Sequence, residues 1–170
     1  ESKSAIPTQG VFFEGQVFDA YELASKIIRS AKKSLILIDN YIDETTLTHL
    51  SKKTNAVSVL LLTKKLDAKL VLDVKKANEQ YGGFNLKHFA NSHDRFLIVD
   101  QTEVYHLGAS LKDLGKKWFA FSKLEELITT DSIPVSKKSS KIRVLSCADL
   151  FADVMKKVHN NESISSKFIM

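Results

Sequence analysis

NSHDRFLIVDQTEVYHLGASLKD, residues 91–113, is the stretch whose reading decides the fold. RFLIVD and EVYHLG are apolar, β-rich runs close enough to pair, which predicts an antiparallel hairpin turning around Gln101 and Thr102. Their apolar cores fit burial on both faces and so place RFLIVD centrally in a sheet rather than in a surface hairpin. Side chains two apart in a strand point the same way, so His93 and Arg95 are expected side by side on one face.

Working outward, SLILID (34–39) and AVSVLLLT read as buried strands, joined by a short helix from about Asp43 to Lys53 with Leu47 and Leu50 inward. LDAKLVLDVKKANEQY is the clearest helix, with Leu66, Leu70, Val74 and Ala77 at helical spacing and Gly82 and Gly83 ending it. Near the start, VFF reads as a short strand, and Asp19 is placed to cap a helix that carries Tyr21, Ala24, Ile27 and Ile28 on one face. After residue 83 the apolar pattern shifts to period two through FNLKHF, RFLIVD, EVYHLG and WFAFSKL. Parallel strands linked by helices therefore give way to an antiparallel addition, and the class expected is α/β, a mixed β-sheet flanked by helices. ELITT and KIRVLS then read as strands around the polar connection DSIPVSKKSS. Ser146 with Asp149 approximates a capping box before DLFADVMKKVH, whose apolar face is Leu150, Phe151, Val154 and Val158. The organisation expected is a loose segment 1–10, a domain over 11–124 and a strand-strand-helix extension over 125–170.

The 170 residues are 44% apolar and 26% charged, which suits a globular protein, and the runs LILI and VLLL are too short to cross a bilayer. Glu1 is not a start residue, so a longer chain is expected. A single cysteine, Cys147, excludes an internal disulfide, fits a reducing cytoplasm and is expected to be a small buried residue. The net charge of +5 is spread over lysine doublets such as 32–33, 64–65 and 116–117. They read either as solvated surface or as a diffuse field that attracts a polyanion, with no aromatic-plus-basic stripe of the single-strand-binding type beside them.

The chemistry suggested by residues 91–113 is that of a phosphodiester. An imidazole can attack phosphorus or pass a proton near neutral pH, and a neighbouring guanidinium can hold two phosphate oxygens. Gly108 permits close backbone approach, and Ser110 and Lys112 can add donors. Asp39, Asn40, Tyr41 and Asp43 end or follow the SLILID strand, where ligands gather in open α/β sheets, and can line the same pocket, although Asp43 reads rather as the cap of the next helix. The competing reading is structural: His93 hydrogen-bonded, Arg95 paired with Asp94 or Glu103. His88 and His106 read as partly buried strand residues, and His49 and His159 as incidental. No His/Cys cluster has zinc spacing and there is no glycine-rich phosphate loop, so neither a metal nor a cofactor is expected.

HDRFLIVD fits the H-x-K-x-x-x-x-D spacing of the phospholipase D superfamily with Arg95 in the lysine place, and Gly108-Ala109-Ser110 resembles its Gly-Ser corner. The resemblance runs from VFFEGQVFDAY to WFAFSKL, about residues 11–124, and implies a phospholipase D-like sheet. It implies His93 as the nucleophile forming a phosphohistidine, Arg95 as the phosphate clamp, Asp100 as an orienting carboxylate and Ser110 as a donor. That family's site uses two histidines and this chain carries one motif, so the resemblance also implies a homodimer. The span is similar to modules found C-terminal to phage-type DNA-binding regulator domains. The His-Asp-Arg variant also resembles the membrane-binding C-terminal domain of MIT-domain proteins. The implied function is a metal-independent phosphodiesterase or nuclease, or a non-catalytic interaction module attached to a DNA-binding or membrane-associated partner.

ELITTDSIPVSKKSSKIRVLSCADLFADVMKKVHNNESISSKFIM, residues 126–170, resembles the C-terminal end of ribose-phosphate pyrophosphokinases. That family's ribose-phosphate loop, ending in a Thr-Ala-Gly-Thr type turn, has no counterpart in the chain, so this resemblance implies a related fragment without its active site.

Overall fold

The computed structural model describes residues 6–125, 127–131 and 142–164. The chain divides into two compact units, Glu1–Leu124 and Glu125–Met170. The first is the mixed α/β architecture that the alternating patterns predict. Its strands are β1 (Gln9–Phe12), β2 (Ser34–Ile38), β3 (Ser58–Thr63), β4 (Phe84–His88), β5 (Arg95–Val99), β6 (Glu103–Leu107) and β7 (Phe119–Leu124). They form one sheet in the order β1-β7-β6-β5-β2-β3-β4, so RFLIV is the middle strand of seven. β2, β3 and β4 are parallel, and β5, β6, β7 and β1 continue antiparallel. FNLKH thus belongs to the parallel half, not to the antiparallel addition that its period-two pattern suggests. A helical crossover separates it from β3, and that connection sets its direction. The loose start ends earlier than expected, since β1 begins at Gln9.

Three helices flank this sheet: α1 (Val17–Ser30), α2 (Glu44–Leu50) and α3 (Ala68–Tyr81). Asp43 caps α2, accepting from the amides of Thr45 and Thr46 while Thr46 Oγ1 accepts from Asp43 N. Asp67 caps α3 by accepting from Leu70 N, and Gly82 closes it at φ +67°. Leu66 precedes that cap and is exposed, so it does not join Leu70 and Val74 in the core. Asp19 is not a cap; it sits in the first turn of α1, whose N-cap is Gln16. Ala24, Ile27 and Ile28 of α1, Leu47 and Leu50 of α2, and Leu70 and Val74 of α3 pack with Leu35, Leu37, Val59, Leu61, Leu97 and Val99. Those strand residues are the alternate set, while Ile36, Ile38, Leu60, Leu62, Phe96 and Ile98 are only partly buried. The expectation of burial on both faces is therefore met in part: α1–α3 bury one set fully, and the other set is partly buried.

The β5–β6 hairpin turns one residue earlier than predicted. Asp100 (φ 51°) and Gln101 (φ 60°) are its central pair, and Thr102 N closes the turn on Val99 O at 3.1 Å. Positive φ at both central residues matches the right-handed strand twist, and the register pairs Val99 with Glu103, so Asp100, Gln101 and Thr102 form the connection.

In the second unit, β8 (Leu127–Thr130) and β9 (Ile142–Leu145) pair in parallel ahead of α4 (Ala148–His159). Most of the DSIPVSKKSS connection and the final SSKFIM run lie outside the described residues. The helix starts on Cys147, not on a Ser146–Asp149 box. Ser146 Oγ accepts from Ala148 N at 3.3 Å, and Asp131 Oδ1 accepts from the Cys147 amide and thiol at 3.0 Å each. These bonds hold the Asp131 carboxyl down at about 2. Cys147, expected to be buried, is half-buried, and no residue of α4 is buried.

Candidate phosphate-binding site

The site grows from the end of β2. Asp39 follows Ile38, its amide bonds Leu62 O at 3.0 Å, and its side chain is 1% exposed. A carboxylate so far from water needs partners. Ser110 Oγ donates to Oδ2 at 2.6 Å and Tyr41 N donates to Oδ1 at 2.9 Å. Arg95 Nε stands 3.8 Å from Oδ1, close enough for charge balance and too far for a hydrogen bond. The antiparallel register that pairs Ile38 with Phe96 brings Asp39 and Arg95 together.

Arg95 is the cationic member of this group. Its side chain is 27% exposed, its Nε is buried with no hydrogen-bond partner among the described residues, and its guanidinium lies 5.3 Å from the Tyr41 ring centre. It lines a cavity of about 430 Å³ with Tyr41, Gly108, Ala109, Ser110, Asp113, Lys116, Lys117 and Trp118. Lys116 pairs with Asp113 at 2.9 Å, and Lys117 has no carboxylate partner among the described residues.

The residues predicted for the site divide. Arg95, Ser110 and Tyr41 line the cavity. His93 does not: β5 begins at Arg95, so His93 stands on the preceding loop, exposed, without a hydrogen bond or ion pair among the described residues. The competing structural reading fails on both halves, because Arg95 faces Asp39, Asp94 lies 3.8 Å from His106, and Glu103 takes Lys123 and Tyr105. Asp100 is at the opposite end of β5. There it accepts from the amides of Lys32, Lys33 and Ser34 at 2.7–3.2 Å, which holds its carboxyl below the usual range. Strand length excludes it from the cavity, since five residues of β-strand span roughly 16 Å.

Ser110, expected to donate to a ligand, spends its proton on Asp39 and leaves only lone pairs to offer. Lys112 sits in the 3-10 turn Leu111–Asp113, 3.7 Å from Asp43 and 5.9 Å from the Tyr41 ring, outside the cavity lining. Asn40 is a loop tie rather than a ligand contact, donating to Ser92 O at 3.0 Å and accepting from Lys64 N at 3.1 Å. What approaches Gly108 is protein: a Cβ there meets Ala120 O at 2.7 Å. Lys116, Lys117 and Trp118 were missed, whereas Asp39 is among the pocket residues expected at the end of β2. The three missed residues carry no local signal beyond a lysine pair beside an aromatic.

No family model matches the chain. It is similar to ribose-phosphate pyrophosphokinases, at 50% identity over 46 residues of the Wolinella succinogenes protein and 47% over 69 residues of that from Helicobacter pylori strain J99. These stretches cover 27% and 39% of this chain, and the chain spans only 15% and 22% of those relatives. Among solved structures, NucT from Helicobacter pylori aligns with a TM-score of 0.48 at 10% identity, covering 68% of this chain and 83% of NucT. TrmBL2, an archaeal chromatin protein, aligns with a TM-score of 0.48 at 15% identity, covering 72% of this chain and 47% of its own. Among the described residues no helix is long and apolar enough to cross a membrane.

Proposed function

We propose that the first unit is a phospholipase D-like module that binds phosphodiesters at the Arg95 cavity. One observation carries this reading. Arg95 is largely buried, is balanced by Asp39 without being hydrogen-bonded by it, and borders an open cavity that Lys116 and Lys117 also line. A guanidinium in that state offers a planar fork of donors to two non-bridging phosphate oxygens. Calorimetric titration with a short oligonucleotide tests it. Affinity falls linearly in logarithmic coordinates as salt rises, and Arg95→Ala weakens binding at least tenfold. Binding that Arg95→Ala leaves unchanged refutes the proposal.

The exposed imidazole of His93, without a partner among the described residues, supports a second reading, turnover. His93 attacks phosphorus, the bond to the leaving oxygen breaks and a second copy's histidine supplies that oxygen's proton; water deprotonated by that histidine then breaks the phosphorus–nitrogen bond and frees His93, so activity needs a homodimer. Cleavage of DNA in chelator that His93→Ala abolishes supports it; cleavage that survives the substitution excludes it. We assign the 46-residue stretch shared with the Wolinella succinogenes ribose-phosphate pyrophosphokinase to the second unit and attach no kinase chemistry to it, because the ribose-phosphate loop has no counterpart in the sequence.

A further inference from the structure

The cavity that holds Arg95 has an aromatic wall. Trp118 immediately precedes β7, and the register that pairs Phe12 with Phe119 sets Phe13 against it, ring centres 4.7 Å apart and planes at 81°. Despite that contact Trp118 is 69% exposed and Phe13 48%. The indole therefore does not complete the core, yet its position is fixed by an edge contact with Phe13. The two residues before it, Lys116 and Lys117, are cations lining the same cavity. The sequence reading finds no aromatic-plus-basic stripe. The fold assembles a short one from Phe13, on β1's continuation, and Lys116, Lys117 and Trp118, which lead into β7.

We infer that Trp118, braced by Phe13, is a base-stacking platform beside the Arg95 phosphate contact, so that the phosphodiester taken here is an unpaired polynucleotide. The inference rests on the phosphodiester-binding reading above and adds the chemistry of the base. Every nucleobase has a π face, and a base stacked on indole gains affinity without sequence preference. In a duplex both faces of each base are already covered by its neighbours, so an indole on a cavity wall reaches only bases that are unpaired. The cavity, about 430 Å³, lies within the roughly 300–1,000 Å³ of small-ligand sites and suits single nucleotide units rather than a paired helix. Lysines alone would serve any polyanion; the exposed indole beside them discriminates.

Trp118 is the one tryptophan of the chain, so its own fluorescence reports the event. The full chain is titrated with a thymidine oligomer of about eight nucleotides, a span within the usual site size. Parallel titrations use the abasic oligomer of equal length, a duplex of equal length, and vesicles of phosphatidylcholine with phosphatidylserine. The expected result is saturable quenching by the thymidine oligomer alone, with the abasic oligomer binding about tenfold more weakly and without quenching. Trp118→Ala loses the same factor of about ten for thymidine and none for the abasic oligomer, while Trp118→Phe recovers part of it.

Equal affinity for the two oligomers, unaffected by Trp118→Ala, overturns the platform and leaves phosphodiester binding standing. If neither oligomer binds, it is the phosphodiester reading that fails. Equal quenching by the duplex overturns the preference for unpaired bases. Emission changes produced by vesicles and not by oligomers, or a Trp118→Ala protein whose only change is its oligomeric state by light scattering, reassign the aromatic pair to a lipid surface or to a second copy and also overturn the inference.

Discussion

Replacing Asp100 separates a structural carboxylate from a catalytic one. Its oxygens accept from Lys32 N at 2.9 Å (Oδ2), Lys33 N at 2.7 Å (Oδ1) and Ser34 N at 2.9 Å (Oδ1), across 66–68 residues of chain. The residue also holds φ at 51° in the hairpin turn. In Asp100→Ala the amides of Lys32 and Lys33, which lie toward solvent, recover water, so the loss resembles that of one helix cap, about 1–2 kcal/mol. Left-handed backbone at a non-glycine, non-Asx residue adds about 1 kcal/mol. The total is about 3 kcal/mol. Asp100→Asn keeps one acceptor and tolerates the left-handed region, so it costs about 1 kcal/mol. With a urea dependence of about 2 kcal/mol per molar, the unfolding midpoint falls by about 1.5 M for alanine and about 0.5 M for asparagine, read from circular dichroism. Oligonucleotide affinity of the folded variants is unchanged. An unshifted midpoint with lost binding refutes the argument and returns Asp100 to the site. Because its carboxyl titrates below the ordinary range when folded, the contribution is complete above about pH 4 and fades as pH falls through the folded value.

The same turn predicts that Gln101→Gly stabilises the first unit by about 1 kcal/mol, since glycine adopts φ 60° without steric cost; an unchanged or lower urea midpoint contradicts this. Gly108→Ala drives a Cβ to 2.7 Å from Ala120 O, which also accepts from Gly108 N, and loses about 2 kcal/mol or more by the same assay. Ser110→Ala strips the buried Asp39 of its 2.6 Å donor and costs about 2–3 kcal/mol, with Ser110→Thr milder. His49 is buried on α2 beside the Tyr21 ring, and burial, then the nearby Lys52 charge, pushes its pKa down. The unfolded chain then binds the extra proton, so stability is full above about pH 6.5 and declines as pH falls below it; His49→Gln flattens that slope in urea midpoints measured across pH 5 to 7.

Asp43 and Gly82 were legible as helix boundaries because a cap acts within three residues of the groups it satisfies, while the cap at Asp67 falls inside the expected helix. The short continuous apolar runs in SLILI, SVLLLT and RFLIV likewise determined that these segments are strands, and RFLIV is the middle one. Local pattern went no further. It misplaced the hairpin by one residue, since turn type depends on the twist of both strands, and it assigned FNLKH to the antiparallel half, since strand direction belongs to the crossover. The site was legible in Arg95, whose charge in a strand needs an outlet, and in the glycine corner after β6. Its remaining members were decided by pairings that no local window contains. Ser110 reaches Asp39 across 71 residues, Phe13 meets Trp118 through the β1–β7 register, and strand length carries Asp100 to the far end from the cavity. Sequence alone determined which segments are strands and helices, because those preferences are properties of neighbouring residues. Which side chains share a cavity was decided only by the tertiary structure, because strand order and register are set by closing loops of tens of residues at once.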